Sequence, residues 1–224
     1  MKLLLVEDND QLAHWLASLL RAQEFVVDHV GDGDAADRLL QQQRYDVVLL
    51  DLNIPGLSGK GVLRRLRERQ DDVPVLVLTA TESLDQKVLC LEIGADDYLV
   101  KPVEVREVVA RIKVLVRRQM PGKSNDVTCG DLHYDLRTRT FTLAGQELAL
   151  PPRERSLLET LVLKAGSTVP KRVLMDSIFG LDEEASPDAV ELYVHRLRKK
   201  LEPGQATIIT LRGVGYLLRL RDEG

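Results

Sequence analysis

Five polar side chains in the first half of the chain are suited to phosphoryl chemistry: Glu7, Asp8, Asp51, Thr79 and Lys101. Three carboxylates that lie close together repel one another unless a cation joins them. Oxygen ligands with spare coordination positions suit Mg²⁺, which prefers one or two carboxylates together with a phosphate. An ammonium and a hydroxyl would hold the remaining phosphoryl oxygens. Such a set would stabilise charge while phosphate moves onto a carboxylate nucleophile.

Each of these side chains stands at or just after the end of an apolar segment. A short apolar run between turn residues is typical of a strand buried on both faces of a parallel sheet. The predicted strands are LLLVE (3–7), VVDHV (26–30), DVVLLD (46–51), VPVLVLT (73–79) and DYLVK (97–101). Because the carboxyl ends of parallel strands lie along one edge, where ligands bind in open α/β sheets, we expect the five polar groups to converge there.

Helical patterns separate these strands. Apolar residues recur at intervals of three and four in QLAHWLASLLRAQ, DAADRLLQQQR, GKGVLRRLRER, SLDQKVLCLEIGA and VEVREVVARIKVLVRR. Strands that alternate with helices imply a parallel sheet with right-handed crossovers. Residues 1–117 are therefore predicted to form a doubly wound (βα)5 domain of the α/β class.

The pattern changes at RRQMPGKSNDV (117–127), where Pro, Gly, Ser and Asn predict a linker over 118–126. Residues 127–222 begin with short alternating strands and continue with three helical patterns. The helical patterns are RERSLLETLVLKAG, KRVLMDSIFG and DAVELYVHRLRKKLE. The segment ATIITLRGVGYLLRL then has the Gly-containing turn of a hairpin. Three helices followed by a hairpin are typical of an α+β winged-helix domain.

Composition and charge limit the function classes. The 224 residues have a formal charge of −4, which is unevenly distributed. Residues 1–116 contain 14 basic and 20 acidic residues, whereas residues 117–224 contain 17 and 15, so only the second half is a candidate to bind a polyanion. No apolar stretch approaches the roughly 18 residues of a membrane span, and MKLLLVEDND is too acidic for a signal peptide. We therefore expect a cytoplasmic protein, with Cys90 and Cys129 as inert thiols.

Four motifs carry a family resemblance: VED (6–8), DLNIPGLSG (51–59), LTA (78–80) and ADDYLVKP (95–102). They resemble the receiver domain of bacterial response regulators, over about residues 2 to 117. The resemblance implies that Asp51 accepts phosphate from a sensor histidine kinase. It also implies that Asp8, Asp51 and the main-chain carbonyl of Asn53 hold Mg²⁺, with Glu7 acting through water.

The same resemblance assigns roles around the acidic residues. Lys101 would contact the phosphoryl group, and Lys101–Pro102 would be a cis peptide bond. Thr79 and Tyr98 would be the switch pair. Val103 replaces the usual Phe after Lys-Pro, a departure that removes no catalytic group.

Two other kinds of α/β protein fit the residues less well. A flavodoxin-like domain needs a Ser/Thr/Gly phosphate loop after its first strand, whereas EDND (7–10) would repel a phosphate. A haloacid-dehalogenase-like phosphatase carries a second Asp two residues after its nucleophile. Here that position is Asn53, so the general acid for turnover is missing.

The fourth and fifth helical patterns carry charges of both signs. On exposed helices such charges are usually solvated, and each pair contributes about 0–1 kcal/mol. The resemblance to the OmpR/PhoB-type subfamily implies instead a dimerisation surface that is used after phosphorylation. The implied cross-subunit pairs are Lys87–Glu107, Glu92–Lys113, Asp97–Arg111 and Asp96–Arg118, around an apolar patch of Val88, Leu91 and Ala110.

DAVELYVHRLRKKLE (188–202) predicts a helix with one basic face. We expect Val190, Leu192 or Tyr193, Leu197 and Leu201 to be buried. The side chains then turned outward are His195, Arg196, Arg198, Lys199 and Lys200. A basic helix next to a hairpin that carries Arg212, Arg219 and Arg221 favours docking in the major groove of DNA, with contacts to the phosphate backbone.

Residues from about 128 to 220 resemble the OmpR/PhoB-type winged helix, with AVELYVHRLRKKL as its recognition helix and TLRGVGYLL as its wing. The resemblance implies phosphate contacts for Lys171, Arg172, Arg198 and Lys199. It implies contacts of Tyr193, His195 and Arg196 with bases or backbone, and of Arg212 with the minor groove or its backbone. Asp188 stands where relatives often have Asn or Arg, and Leu217 stands where a basic residue is common.

Together these features predict a phosphorylation-controlled transcription regulator of a bacterial two-component system. Its partners would be a sensor histidine kinase, double-stranded promoter DNA, RNA polymerase and a second copy of the chain, but no membrane. It would be no enzyme beyond the Mg²⁺-dependent autophosphorylation and autodephosphorylation of the receiver. The alternative is a phosphorylation-independent regulator whose receiver only dimerises, against which the complete set of Asp8, Asp51, Thr79 and Lys101 argues.

Overall fold

The computed structural model describes residues 1–80, 83–119, 126–181, 183, 186 and 188–221. The chain divides into two compact units, Lys2–Gln119 and Met120–Gly224. Most of the predicted linker, residues 120–125, and the predicted end of the second domain at 222 lie outside the described residues. Within the described ranges, no helix combines the length and apolar character needed to cross a bilayer.

The first unit is built on a five-stranded parallel sheet. Its strands are β1 (Lys2–Val6), β2 (Val26–Val30), β3 (Val47–Asp51), β4 (Val75–Thr79) and β5 (Asp97–Val100). They lie in the order β2-β1-β3-β4-β5. Its helices are α1 (Asp10–Ala22), α2 (Gly33–Gln42), α3 (Gly59–Glu68), α4 (Leu84–Ile93) and α5 (Val105–Arg118). This architecture confirms the predicted doubly wound α/β domain.

Burial and helix capping explain why these segments take these forms. Every residue of β1, β3 and β4 is buried, as expected for strands whose apolar residues run almost without interruption. The Asn9 side chain accepts a hydrogen bond of 3.0 Å from the Leu12 N–H, which satisfies a free donor at the start of α1. The helix therefore begins at Asp10, and Asp8 stays before it at the carboxyl edge of the sheet.

The second unit combines an antiparallel sheet, three helices and a hairpin. The sheet contains β6 (Asp126–Cys129), β7 (Leu132–Asp135), β8 (Thr140–Leu143) and β9 (Gln146–Glu147). The helices are α6 (Pro152–Val162), α7 (Lys171–Ile178) and α8 (Ala189–Leu201), and the hairpin pairs β10 (Ala206–Leu211) with β11 (Gly215–Leu220). This arrangement confirms the predicted α+β winged-helix domain.

The buried face of α8 differs from the predicted one. Val190, Val194, Leu197 and Leu201 are buried, whereas Leu192 is 48% exposed. The buried positions follow the helical spacing of four, three and four residues. The prediction for Leu192 is wrong, because Val194 takes its place in the buried stripe, whereas Tyr193, the predicted alternative, is half-buried.

Candidate functional site

Three carboxylates meet at the carboxyl edge of the first unit's sheet. Glu7 and Asp8 follow β1, and Asp51 is the last residue of the adjacent strand β3. One oxygen from each lies within 4.8 Å of the other two. Glu7 and Asp51 are 2% and 6% exposed, whereas Asp8 is exposed. We call these three residues the acidic pocket.

Lys101, which follows β5, reaches the acidic pocket. Its ammonium donates a hydrogen bond of 2.5 Å to Glu7 Oε2 and another to Asp51 Oδ2. Burial lowers the pKa of Lys101, but the hydrogen bonds to Asp51 and Glu7 and their negative charges outweigh burial, so the pKa lies above its ordinary value. Lys101 is therefore a fixed cation between two buried carboxylates. The Lys101–Pro102 peptide bond is cis.

The turn after β3 fixes the position of Asp51. The Asn53 N–H donates a hydrogen bond of 2.9 Å to Asp51 Oδ1. Gly59, at the start of α3, lies so close that a Cβ atom there would be 2.1 Å from the Asp51 carbonyl oxygen. The first turn of α3 thus packs directly against the main chain of Asp51, and only glycine allows this approach.

The chemistry of the acidic pocket fits a hard divalent cation. Its three donors are all carboxylates, and their oxygens lie close enough together to reach one ion. Lys101 supplies a single positive charge against the three carboxylates. An oxygen-only donor set with excess negative charge is the kind that Mg²⁺ prefers.

Thr79 and Tyr98 form a buried pair next to the pocket. Thr79 ends β4 and is fully buried, and Tyr98 in β5 is 4% exposed. Burial raises the pKa of the Tyr98 hydroxyl and the nearby Cys90 adds to this shift, while a hydrogen bond with Thr79 opposes it. The Tyr98 ring therefore lies inside the domain, with the Lys87 ammonium 6.0 Å from its centroid.

The structure places the predicted dimerisation residues on α4, the turn after it, β5 and α5, and we call this surface the dimer face. Cys90 is the one buried residue of α4. Leu84, Val88 and Leu91 are 71%, 44% and 43% exposed, and Ala110 on α5 is also exposed. The charged residues placed around them are Lys87, Glu92, Asp96, Asp97, Glu107, Arg111, Lys113 and Arg118.

Several charges of the dimer face are paired within the single chain. Arg111 lies 2.8 Å from Asp97 and 2.6 Å from Glu107. Asp96 lies 2.8 Å from Arg67 on α3, and it also accepts a hydrogen bond from the Val75 N–H. The cross-subunit pairs remain predictions, and Asp96 would have to release Arg67 or share it in order to bind Arg118.

The second unit has a charged, exposed face on α8. Tyr193 is half-buried, and the centroid of its ring lies 5.9 Å from the guanidinium carbon of Arg196. Arg172 at the start of α7 and Arg212 in the turn of the hairpin are exposed as well. The exposed side chains of α8 are Glu191, Leu192, His195, Arg196, Arg198 and Lys199.

Several of the predicted DNA-contacting cations have partners inside this unit. Arg198 donates hydrogen bonds of 2.7 Å to the Ile208 carbonyl and to the Thr210 hydroxyl, so it joins α8 to β10. Lys171 lies 2.7 Å from Glu191.

Lys200 does not face outward as predicted. It is half-buried, because its ammonium lies 2.9 Å from the buried carboxylate of Glu154 and 3.0 Å from the Ala149 carbonyl. Neither Glu154 nor Glu191 could be predicted as a partner from the sequence. Neither belongs to a recognisable motif, and only the folded chain brings them to their cations.

An acidic pocket on a doubly wound sheet, followed by a winged helix, defines the class of DNA-binding response regulators. The response regulator receiver domain family matches residues 3–113, and the family "transcriptional regulatory protein, C terminal" matches residues 145–218. The chain belongs to the OmpR/PhoB-type family of two-component response regulators, which bind DNA and regulate transcription.

Individual relatives are similar along their whole length. The transcriptional regulatory protein TctD of Salmonella typhimurium is 46% identical over 224 residues, which cover 100% of this chain and 99% of TctD. QseB of Escherichia coli O157:H7 is 40% identical over 218 residues, or 97% of this chain and 99% of QseB. The BeF3-activated receiver domain of Klebsiella pneumoniae RstA is similar with a TM-score of 0.50 and 31% identity, over 52% of this chain and 99% of that structure.

Proposed function

We propose that the first unit is a phosphorylation switch in which Asp51 accepts a phosphoryl group from a sensor histidine kinase. The observation that carries this proposal is the acidic pocket, with its oxygens within 4.8 Å of one another and Lys101 bonded to two of its members. Among the three carboxylates, Asp51 is both buried and bonded on each oxygen, by Asn53 and by Lys101. Its orientation is therefore fixed before the donor arrives.

The transfer forms one bond and breaks one. An Asp51 carboxylate oxygen attacks phosphorus, the bond from phosphorus to the kinase's histidine nitrogen breaks, and its electron pair stays on the imidazole. Lys101 balances the charge of the phosphoryl oxygens, and the Thr79 hydroxyl donates to one of them. Glu7, Asp8, Asp51 and the carbonyl of Asn53 would hold Mg²⁺. Bound Mg²⁺ supplies positive charge against the phosphoryl oxygens.

The pocket is suited to keep the phosphoryl group rather than to turn over a substrate. The position two residues after Asp51 is Asn53, whose carboxamide cannot serve as a general acid or base. The chemistry of this unit is then limited to its own phosphorylation and dephosphorylation. A lasting phosphoryl group is what a switch requires.

Phosphorylation favours dimerisation through the dimer face. A phosphoryl group adds about −1.5 to −2 charges. The group draws in Thr79, and the buried Tyr98, which is already bonded to Thr79, is held in its inward position. The exposed apolar side chains of α4, together with Ala110, are the surface that a second copy would cover. The four predicted ion pairs would surround it.

The dimer binds tandem half-sites on promoter DNA and acts on RNA polymerase in the bacterial cytoplasm. We assign the receiver to residues 1–117, the linker to 118–126 and the winged helix to 127–222. The exposed cations of α8, α7 and the hairpin support docking of α8 in the major groove, with contacts to the phosphates alongside. The exposed cations are Arg172, Arg196, Arg198, Lys199 and Arg212, and the half-buried Lys171 and the exposed His195 lie beside them.

The test is intact mass spectrometry of the full chain after incubation with Mg²⁺ and acetyl phosphate, with dimerisation followed by size-exclusion chromatography. We expect the wild type to gain one phosphoryl group and to dimerise, and Asp51→Ala to do neither. Asp72→Ala, which removes an exposed carboxylate before β4, is the matched control and should behave like the wild type. Phosphoryl uptake by Asp51→Ala would contradict the assignment.

A further inference from the structure

Glu191 is an acidic residue on a surface that the proposed function turns toward DNA. It lies in the first turn of α8, and its side chain is 49% exposed. His195, four residues later, lies on the same face of the helix, and Leu192 and Arg196 are exposed beside it. Residues in the first turns of a recognition helix are those that contact base edges. The location of Glu191 therefore needs an explanation, because a carboxylate there would repel the phosphates.

The geometry keeps the Glu191 carboxylate ionised and oriented. Lys171, at the start of α7, donates a hydrogen bond of 2.7 Å to Glu191 Oε1. This bond lowers the pKa of Glu191 below its usual value. The ammonium also balances the negative charge that would otherwise face the DNA backbone. An ionised carboxylate accepts several hydrogen bonds, so the contact with Lys171 leaves acceptor capacity for a further donor.

Base chemistry limits which partner such an acceptor can have. In the major groove, guanine presents two acceptors, and thymine presents an acceptor and a methyl group. Adenine presents a donor next to the N7 acceptor, which repels a carboxylate. Cytosine presents the N4 amino group as a donor, with no acceptor on its own major-groove edge. Cytosine is the base that an ionised carboxylate matches.

We propose that Glu191 is a specificity-determining residue that accepts a hydrogen bond from the N4 amino group of a cytosine in each half-site. The proposal rests on the proposed function, since it requires α8 to enter the major groove. Lys171 then has two functions: it contacts the backbone and it positions the Glu191 carboxylate. The negative charge of Glu191 in the first turn of α8 also interacts favourably with the helix dipole. A role limited to the dipole or to the ion pair would not depend on the base sequence.

The experiment selects sequences from double-stranded DNA with a randomised central segment, using the full chain as wild type, Glu191→Gln, Glu191→Ala and Glu202→Gln. Glu202 is exposed and lies at the end of α8, far from the first turn. Glu202→Gln makes the same change from carboxylate to carboxamide as Glu191→Gln, so it is the matched control. We expect wild type and Glu202→Gln to select cytosine at one position of each half-site. At that position Glu191→Gln should select adenine, because a carboxamide pairs with adenine N6 and N7.

Glu191→Ala should show no base preference at that position and the wild-type preferences at the other positions. Circular dichroism should confirm that this variant keeps its native helix content. In competition against duplexes changed at this position, the wild type should discriminate about fivefold or more, and Glu191→Ala should not discriminate. Identical base preferences in the wild type and in both Glu191 variants would overturn the inference and leave the ion pair a structural one. If the wild type enriches no sequence at all, the proposed function fails, and this inference fails with it.

Discussion

Replacing Lys101 with methionine tests the electrostatics of the acidic pocket. The Lys101 side chain is 16% exposed, and its two bonded carboxylates are almost fully buried. Methionine keeps most of the side-chain volume but leaves Glu7 and Asp51 with no ammonium between them. Removal of one partner from a buried ion pair costs about 3–5 kcal/mol. Because Lys101 keeps some contact with water, we expect a loss near the lower limit, about 3 kcal/mol.

Urea unfolding in the presence of EDTA measures this loss. The single tryptophan, Trp15, lies on α1, so its fluorescence reports on the first unit. Domains of this size lose about 1–3 kcal/mol of stability per molar urea, so the midpoint should fall by about 1–3 M. Mg²⁺ held at the proposed site would replace part of the missing positive charge, so we expect added Mg²⁺ to narrow the difference in midpoint from the wild type.

Lys60→Met is the matched control. Lys60 is half-buried on α3, and its ammonium contacts the neutral side chain of Gln86. Its removal leaves no buried carboxylate without a cation, so the midpoint should change much less. Equal midpoints for Lys101→Met and Lys60→Met in EDTA would refute the view that Lys101 compensates buried negative charge.

Three further predictions concern the same unit and the thiols. Gly59→Ala places a Cβ atom 2.1 Å from the Asp51 carbonyl oxygen, so it should lower the free energy of unfolding by about 1–3 kcal/mol and slow phosphoryl uptake, measured by urea titration and intact mass. Tyr98→Phe removes the hydrogen bond with Thr79 and should lower that free energy by about 1 kcal/mol; an unchanged midpoint would show that this bond contributes nothing. Burial raises the pKa of both cysteine thiols, so iodoacetamide at pH 8 should label the native chain slowly and the urea-unfolded chain fast; fast labelling of the native chain would contradict the burial.

The sequence was sufficient to predict the folds of both units and the residues of the acidic pocket. The runs that became β1, β3 and β4 are almost entirely apolar because both faces of these strands are covered, so they can be recognised without any tertiary information. In a parallel sheet, the positions at the strand ends then determine which side chains meet. Asp8 and Asp51 are far apart in the sequence, and the topology alone brings them together.

Side-chain pairing could not be predicted in the same way. Arg67 contacts Asp96 at a separation of 29 residues, and Lys171 contacts Glu191 at a separation of 20. Such pairs depend on the angle at which two helices or loops pack, which no local pattern encodes. The misplaced buried stripe of α8 has a different cause. Leu192 and Val194 are both apolar, and only the packing against α6 and the hairpin decides which of them is covered.

The helix α4 buries little apolar surface, and this lowers the local stability of this part of the receiver. This helix buries Cys90 alone, whereas α5 buries five apolar residues. The free energy of local opening depends on the apolar surface that opening exposes, so the amide protons of α4 should exchange with solvent long before those of α5. Moving α4 as a whole would likewise uncover little apolar surface. The helix that carries the apolar patch of the dimer face is thus the one that a distant chemical change can displace with the least work.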